Sequence, residues 1–351
     1  MTTKRTQPGC ILLLMLALQP ARADDPVPSP ARYTYREPHM GTEFTLVLYS
    51  ADPALANRAS RLAFDRIAAL DATLTDYEPT SELMRLVDRA GGPPVAVSAD
   101  LFAVLERSRD LYDRSGGAFD PSIAPVGRLW RRARRERKLP DPDLLAKARR
   151  LVGGDAIRLD PDRRAVELTR PGMKLDLGGI AKGYASGEAI AVLKQAGIKS
   201  ALVAGSGDIV ASGPPPGKAG WTVGIAPLEA EPQADGTRGR TILLANAAVS
   251  TSGDAEQFVE IDGRRYSHVV DPATGLGLTD RRSVTVVAPD GLLADGLDTA
   301  ACVLGRERGL DLVESYPGAS ALFVQITPAG PVVAESRGWR DRVAGAGAGG
   351  P

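Results

Sequence analysis

The chain has 351 residues, with 43 basic and 43 acidic side chains and a formal net charge of zero at neutral pH. Such a length buries a substantial core in one large domain or two intimate ones. The charge balance excludes an overall basic field able to hold nucleic acid or an anionic membrane surface. In chain order, Lys4 and Arg5 precede the apolar run Ile11 to Leu18, and Ala21-Arg22-Ala23 offers small residues around a cleavage site. This is the pattern of a secretory signal peptide over residues 1–23. The run falls short of the roughly 20 residues that span a bilayer, and Cys10 precedes it, so neither a membrane anchor nor a lipid-anchored cysteine is indicated. The expected product is periplasmic, begins near Asp24 and has no membrane span in the mature chain. A proline-rich linker over 24–32 leads to a domain over 33–343, and the glycine-rich stretch 344–351 reads as a flexible tail.

Phe44 to Tyr49 reads as a strand, and Leu55 to Leu74 carries apolar residues at helical spacing. Further helices are predicted over Ala99 to Tyr112, over Gly183 to Gln195 with a stop at Gly197, and over Leu292 to Leu304. Short β-type runs occupy Ala201 to Ala204, Trp221 to Ile225, Thr241 to Leu244, Phe258 to Ile261, Ser283 to Ala288 and Ala321 to Ile326. Several adjacent β-runs in the second half argue for an α+β fold over a repeated βαβ sheet. Arg128 to Lys138 is dense in arginine and reads more readily as a solvated helix face than as a phosphate or acidic-partner patch. Pro214 to Gly217 and Glu229 to Arg240 read as surface loops. Cys302, within an apolar helix, reads as a small buried hydrophobe; as the single cysteine after the signal, it leaves no intramolecular disulfide.

Six segments concentrate chemistry. Asp176-Leu177-Gly178-Gly179-Ile180-Ala181-Lys182-Gly183-Tyr184 places glycines and a lysine at a helix start, a setting that attracts phosphate or phosphate-bound metal. It fits neither the P-loop nor the dinucleotide fingerprint, and a plain turn with a capping lysine reads equally well. Asp295 and Thr299 stand four residues apart on one helix, so both oxygens can share a face and hold a hard cation such as Mg²⁺. A helix-start carboxylate beside a threonine bonded to its own backbone explains the same spacing, and Asp298 is a competing carboxylate. Thr251-Ser252-Gly253-Asp254 and Tyr266 to Gly275 flank a predicted hairpin, and His268 there is the default proton acceptor if a hydroxyl must be activated. No G-x-S-x-G elbow surrounds Ser252, which argues against a serine hydrolase. Gly116 to Pro121 and Asp76 to Glu82 are turns that deliver Phe119, Asp120 and Tyr77, groups able to grip a flat heterocycle.

Taken together and in this order, the segments resemble the ApbE family of FAD:protein FMN transferases. The similar segments are Met40 to Phe44, Asp76 to Glu82, Gly117 to Pro121, Asp176 to Tyr184, Gly205 to Ile209, Thr251 to Gly253, Tyr266 to Gly275 and Ala294 to Thr299. The resemblance implies an ApbE-type mixed α+β fold of two intimate lobes, with FAD in the cleft between them. It implies that Met40, Tyr77, Ala118, Phe119, Asp120 and Lys182 contact the flavin nucleotide. Asp295, Thr299 and the Gly179 carbonyl match the Mg²⁺ site, and His268 matches the base. The implied reaction moves FMN from FAD to a threonine or serine hydroxyl of an acceptor flavoprotein and releases AMP. A subunit of a membrane electron-transfer complex is one such acceptor. A periplasmic FAD pyrophosphatase and a non-catalytic flavin carrier are the alternatives. Two departures stand out: Gly205-Ser206-Gly207-Asp208 where the family usually has Gly-Gly-Asp, and Gly187 where an aspartate commonly follows Gly-Tyr-Ala.

Overall fold

The computed structural model describes residues 29–228, 240–253 and 257–342. The expected signal peptide with Cys10, most of the loop Glu229 to Arg240, Asp254 and the expected tail lie outside the described residues. Strands β1 (Ala31–His39) and β2 (Thr42–Ser50) form an antiparallel hairpin. Its turn places Met40 and Gly41 at φ 49° and 73°. β1 therefore begins inside the expected linker, at Ala31 instead of Tyr33. Helix α1 (Pro53–Leu74) follows, started by Asp52, whose carboxylate accepts from the Ala54 amide at 2.8 Å, and by proline in its first turn.

A smaller region comes next: α2 (Glu82–Val87), β3 (Val95–Ala96), α3 (Ala99–Ser115), α4 (Ala124–Glu136), α5 (Pro142–Arg149), β4 (Ile157–Asp160) and β5 (Ala165–Leu168). Here β3, β5 and β4 make a three-stranded sheet. α3 stops at Gly116, whose φ of 63° is the left-handed conformation that glycine adopts at least cost. Helix α6 (Ala181–Gln195) leads back to β6 (Ser200–Gly205) and β7 (Asp208–Ala211), then β8 (Trp221–Ile225), β9 (Arg240–Leu244) and β10 (Ala247–Gly253). Two small hairpins, β11 (Phe258–Ile261) with β12 (Arg264–Ser267) and β13 (Val270–Asp271) with β14 (Leu276–Gly277), precede β15 (Arg281–Ala288). The chain continues through α7 (Gly291–Leu304), α8 (Arg306–Glu314), β16 (Ser320–Thr327) and β17 (Gly330–Glu335).

The main sheet has eight antiparallel strands in the order β1-β2-β6-β7-β10-β15-β16-β17. Alternation along β2 sends Phe44, Leu46 and Leu48 into one core, while Val47 joins the core on the opposite face. The first core contains Ile67 of α1, Ala185 of α6 and Leu297 of α7, and it continues into Leu105 of α3 and Val166 of β5. Sheet and smaller region thus share one apolar interior. β8 and β9 cover the other face through Trp221, Val223 and Ile242. A third cluster joins Trp130 and Ala133 of α4 to Val259, Ile261 and Tyr266 of the β11–β12 hairpin.

Every predicted helix and strand is present, and Cys302 is fully buried in the first core. The structure adds elements that the sequence reading leaves unassigned, among them β1 and β10. Helices α6 and α7 meet backbone to backbone: a Cβ on Gly183 or on Gly291 would collide with the other's carbonyl oxygen. Gly187, one turn further along α6, has open space where a Cβ would stand. Gly187→Ala is therefore expected to stabilise the protein by about 0.5–1 kcal/mol, because alanine restricts the unfolded chain and favours helix. Denaturant melts would show a higher midpoint at unchanged slope; a lower midpoint would mean that the site does not tolerate a side chain.

Candidate active site

A cavity of about 640 Å³ lies where the ends of the central strands β7, β10 and β15 meet the start of α6, α7 and α4. It gathers Tyr77, Ala118, Phe119, Asp120, Gly179, Lys182, His268, Asp295 and Thr299. Met40 is not among its lining residues. It sits in the β1–β2 turn, where its amide donates to Asp71 Oδ2 at 2.7 Å and its side chain packs on the core.

One end of the cavity is an acidic cluster. The close crossing of α6 and α7 puts Asp295 against the first turn of α6, where no side chain of the preceding residues caps the helix. Its Oδ2 accepts from the Gly183 amide at 2.8 Å, so α7 caps α6 from outside. Burial and the neighbouring Asp208 carboxylate push the Asp295 carboxyl up to about 7, against the opposing pull of Lys182. Asp298, fully desolvated beside Asp295 and Asp208, is held well above the usual carboxylate range. Ser250 lies between Asp208 and Asp298, with its hydroxyl 2.6 Å from Asp298 Oδ2 and bonded also to Asp208. The Lys182 ammonium stands 2.8 Å from Asp208 and 4.0 Å from Asp295, and donates to the Gly178 carbonyl at 3.3 Å. Burial opposes its charge, but Asp295, Asp208 and Asp298 outweigh that and hold it protonated above the ordinary lysine range.

Thr299 closes this end. Its hydroxyl is 3.3 Å from Ser252 Oγ and donates to Asp298 Oδ1 at 3.2 Å. Gly179 fits between Thr299 and Phe119: a Cβ there would stand 3.1 Å from Thr299 Oγ1 and 3.6 Å from the Phe119 ring. No cluster of three or more His, Cys, Asp or Glu placed to hold a metal occurs among the described residues. The donors near Asp295 are instead a carboxylate, a hydroxyl and backbone oxygen. Such a hard, all-oxygen set suits Mg²⁺, which takes few protein ligands. The charges agree with it. Six carboxylates line the cavity (Asp76, Asp120, Asp176, Asp208, Asp295 and Asp298) against three cations (Lys182, Arg131 and Arg134), leaving room for a divalent ion.

The other walls are aromatic and basic. Tyr77 is 73% exposed at the cavity mouth, with the Arg131 guanidinium 5.5 Å from its ring centre. Arg131 bridges Asp76 at 3.1 Å and Asp176 at 3.2 Å, tying α4 to two loops of the cavity rim. Asp120 is buried and turned onto backbone, accepting from the Ser122 amide at 2.8 Å and hydroxyl at 2.6 Å and from the Gly154 amide at 3.3 Å. Burial raises its pKa despite those bonds. It organises the turn that presents Ala118 and Phe119. The His268 Nδ1 is 3.2 Å from the Gln257 carbonyl; a proton there leaves Nε2 as the basic nitrogen.

The reading of Arg128 to Lys138 as a solvated face needs correction. The segment lies largely in α4, and Gly127, Trp130, Arg131 and Arg134 line the cavity from one helix face. Trp130 is buried and donates to the Ser267 carbonyl at 3.1 Å. Spacings of three and four residues between those positions were the available signal, obscured by the arginines around them. Asp208 and Ser250 also belong to the site and carry no local sequence signal for it; only their convergence from β7 and β10 on Asp298, the competing carboxylate of α7, marks them.

Comparison with known proteins agrees with this fold. The sequence signature of the ApbE family matches residues 40–323. The FAD:protein FMN transferase of Treponema pallidum is 34% identical over 308 residues, covering 83% of this chain and 84% of that protein. The FAD:protein FMN transferase of Klebsiella pneumoniae is 32% identical over 293 residues, covering 83% and 89%. Among solved structures, the flavin transferase ApbE from Vibrio cholerae superposes with a TM-score of 0.77 at 26% identity, covering 89% of this chain and 99% of that one. The flavinyl transferase ApbE of Pseudomonas stutzeri, in its apo form, gives 0.77 at 29% identity, covering 90% and 97%.

Proposed function

The chain belongs to the ApbE family, and from that premise we propose that it is an FAD:protein FMN transferase, moving FMN from FAD to a threonine or serine hydroxyl of an acceptor protein with release of AMP. The observation that carries the proposal is the cavity itself. It joins a buried carboxylate–lysine cluster at the start of α6 to an exposed aromatic ring and a histidine. Asp295, Thr299 and the carbonyl of Gly179 are the residues that would hold Mg²⁺. When bound, the ion supplies Lewis-acid stabilisation of charge on pyrophosphate oxygens.

The chain's own groups divide the remaining work. Lys182, fixed by Asp208 and the Gly178 carbonyl, keeps a third N–H for a phosphate oxygen. Tyr77 and Phe119 offer faces to the flat rings of the substrate. The acceptor hydroxyl oxygen bonds to the FMN-side phosphorus, the bond from that phosphorus to the bridging oxygen breaks, and the oxygen leaves on AMP. His268 receives the hydroxyl proton. The proposal includes export to the periplasm, resting on Lys4, Arg5 and the apolar run after them. It also includes a flavoprotein acceptor such as a subunit of a membrane electron-transfer complex. No described helix is long and apolar enough to cross a membrane.

The test is to incubate the mature protein with FAD, Mg²⁺ and an acceptor domain, then measure AMP and covalently bound flavin. Both are expected. AMP without flavinylated acceptor would instead identify an FAD pyrophosphatase, and neither product would identify a carrier. His268→Ala is expected to bind FAD as the wild type does while losing at least about 10²-fold in transfer, the usual scale for a general base. Unimpaired transfer would remove His268 from that role.

A further inference from the structure

Three cations line the cavity, and two are already committed. Lys182 is engaged by Asp208, and Arg131 by Asp76 and Asp176. Arg134, three residues beyond Arg131 on the same face of α4, makes no hydrogen bond or ion pair among the described residues. It is nevertheless partly withdrawn from water, and burial pulls its pKa below the ordinary arginine range with no carboxylate to offset the effect. Its neighbour Arg135 is exposed, and the nearby carboxylate Glu136 is taken by Arg132 at 2.8 Å. An unpaired guanidinium facing a cavity is unfavourable until an anion arrives.

We propose that Arg134 is an anion-binding residue of this cavity that takes a phosphate oxygen of the incoming nucleotide. The identity of that nucleotide rests on the transferase reading above; the open cation does not. A guanidinium presents a planar fork of N–H donors matched to phosphate oxygens. The need for it follows from the cavity's charge: an anionic dinucleotide must approach six carboxylates, while Lys182 and Arg131 are already balanced by some of them. Arg134 supplies positive charge on the α4 wall, away from the helix-start cluster, and so offsets repulsion that the acidic end imposes on the substrate. It is a nucleotide-affinity residue with no part in moving the proton.

The experiment measures equilibrium binding of FAD, FMN, AMP and riboflavin to wild type, Arg134→Gln and Arg135→Gln, with Mg²⁺ present and no acceptor. Arg134→Gln is expected to weaken FAD about tenfold to a hundredfold, the range of one charge-assisted hydrogen bond. Riboflavin, which lacks phosphate, should bind unchanged, as should every ligand to Arg135→Gln. Selective loss of FMN or of AMP assigns the contact to that half of the nucleotide. Arg134→Lys, which keeps the charge, should recover part of the FAD affinity, and KM for FAD should rise with kcat little altered. FAD affinity unchanged in Arg134→Gln, or FAD and riboflavin weakened equally, would overturn the assignment while leaving the transferase reading intact. A wild-type protein that binds no FAD would remove both.

Discussion

Asp295→Asn is expected to abolish Mg²⁺-dependent turnover while the protein stays folded. The amide oxygen can still accept from the Gly183 amide, which Asp295 Oδ2 now meets at 2.8 Å, so the external cap of α6 persists. The lost feature is the charge. Removal of the carboxylate proposed as a Mg²⁺ ligand should cost more than the roughly 10–100-fold typical of residues that only orient ligands. A second readout separates metal binding from chemistry. A ligand bound only by the folded state stabilises it by about 2.7 kcal/mol at a hundred times its Kd, so Mg²⁺ should raise the melting temperature of the wild type. It should leave that of the variant where it was. Full turnover in Asp295→Asn would transfer the metal to Asp298 or Asp208, the other buried carboxylates of the cluster.

Gly183→Ala should do the opposite, damaging the fold and the site together. A Cβ at this position collides with the Gly291 carbonyl oxygen and comes within 2.6 Å of Asp295 Cβ. Both obstacles belong to α7, and one is backbone, so no side-chain rotation relieves them. The two helices must separate, which loosens the core around Ala185, Ala294 and Leu297. Overpacking of this kind costs about 1–3 kcal/mol, occasionally more. Because the same movement draws Asp295 away from Lys182, turnover should fall even where residual folded protein remains. Circular dichroism melts and AMP release check the two effects separately. A melting temperature equal to that of wild type would show that the helices tolerate a wider crossing.

Lys182 illustrates what local sequence conveys. A lysine after a glycine pair at a helix start points to phosphate or metal chemistry, and it does line the cavity. Its partner Asp208 is 26 positions away at the start of strand β7, and no local spacing links them. Arg134 shows the reverse difficulty. In sequence it is one arginine in a basic run, indistinguishable from Arg135 except by helical phase. Only the packing of Trp130 and Ala133 against the β11–β12 hairpin turns its side of α4 inward. Met40 lies in the β1–β2 turn, with its amide bound to Asp71 and the residue outside the cavity lining.

Local information was enough for the long helices, the hydrophobic strands and the order of the chemical segments, because helical and strand periodicities and turn residues act over a few positions. It was also enough for the α+β class and, through eight ordered segments, for resemblance to the ApbE family. The tertiary structure decided which groups share a charge cluster. It brings Asp208, Ser250, Asp295 and Asp298 together from three elements, and it selects the face of α4 that lines the cavity. The physical reason is that desolvation and charge coupling depend on distance in space, and the contact between Gly183 and Gly291 sets those distances across 108 positions of chain.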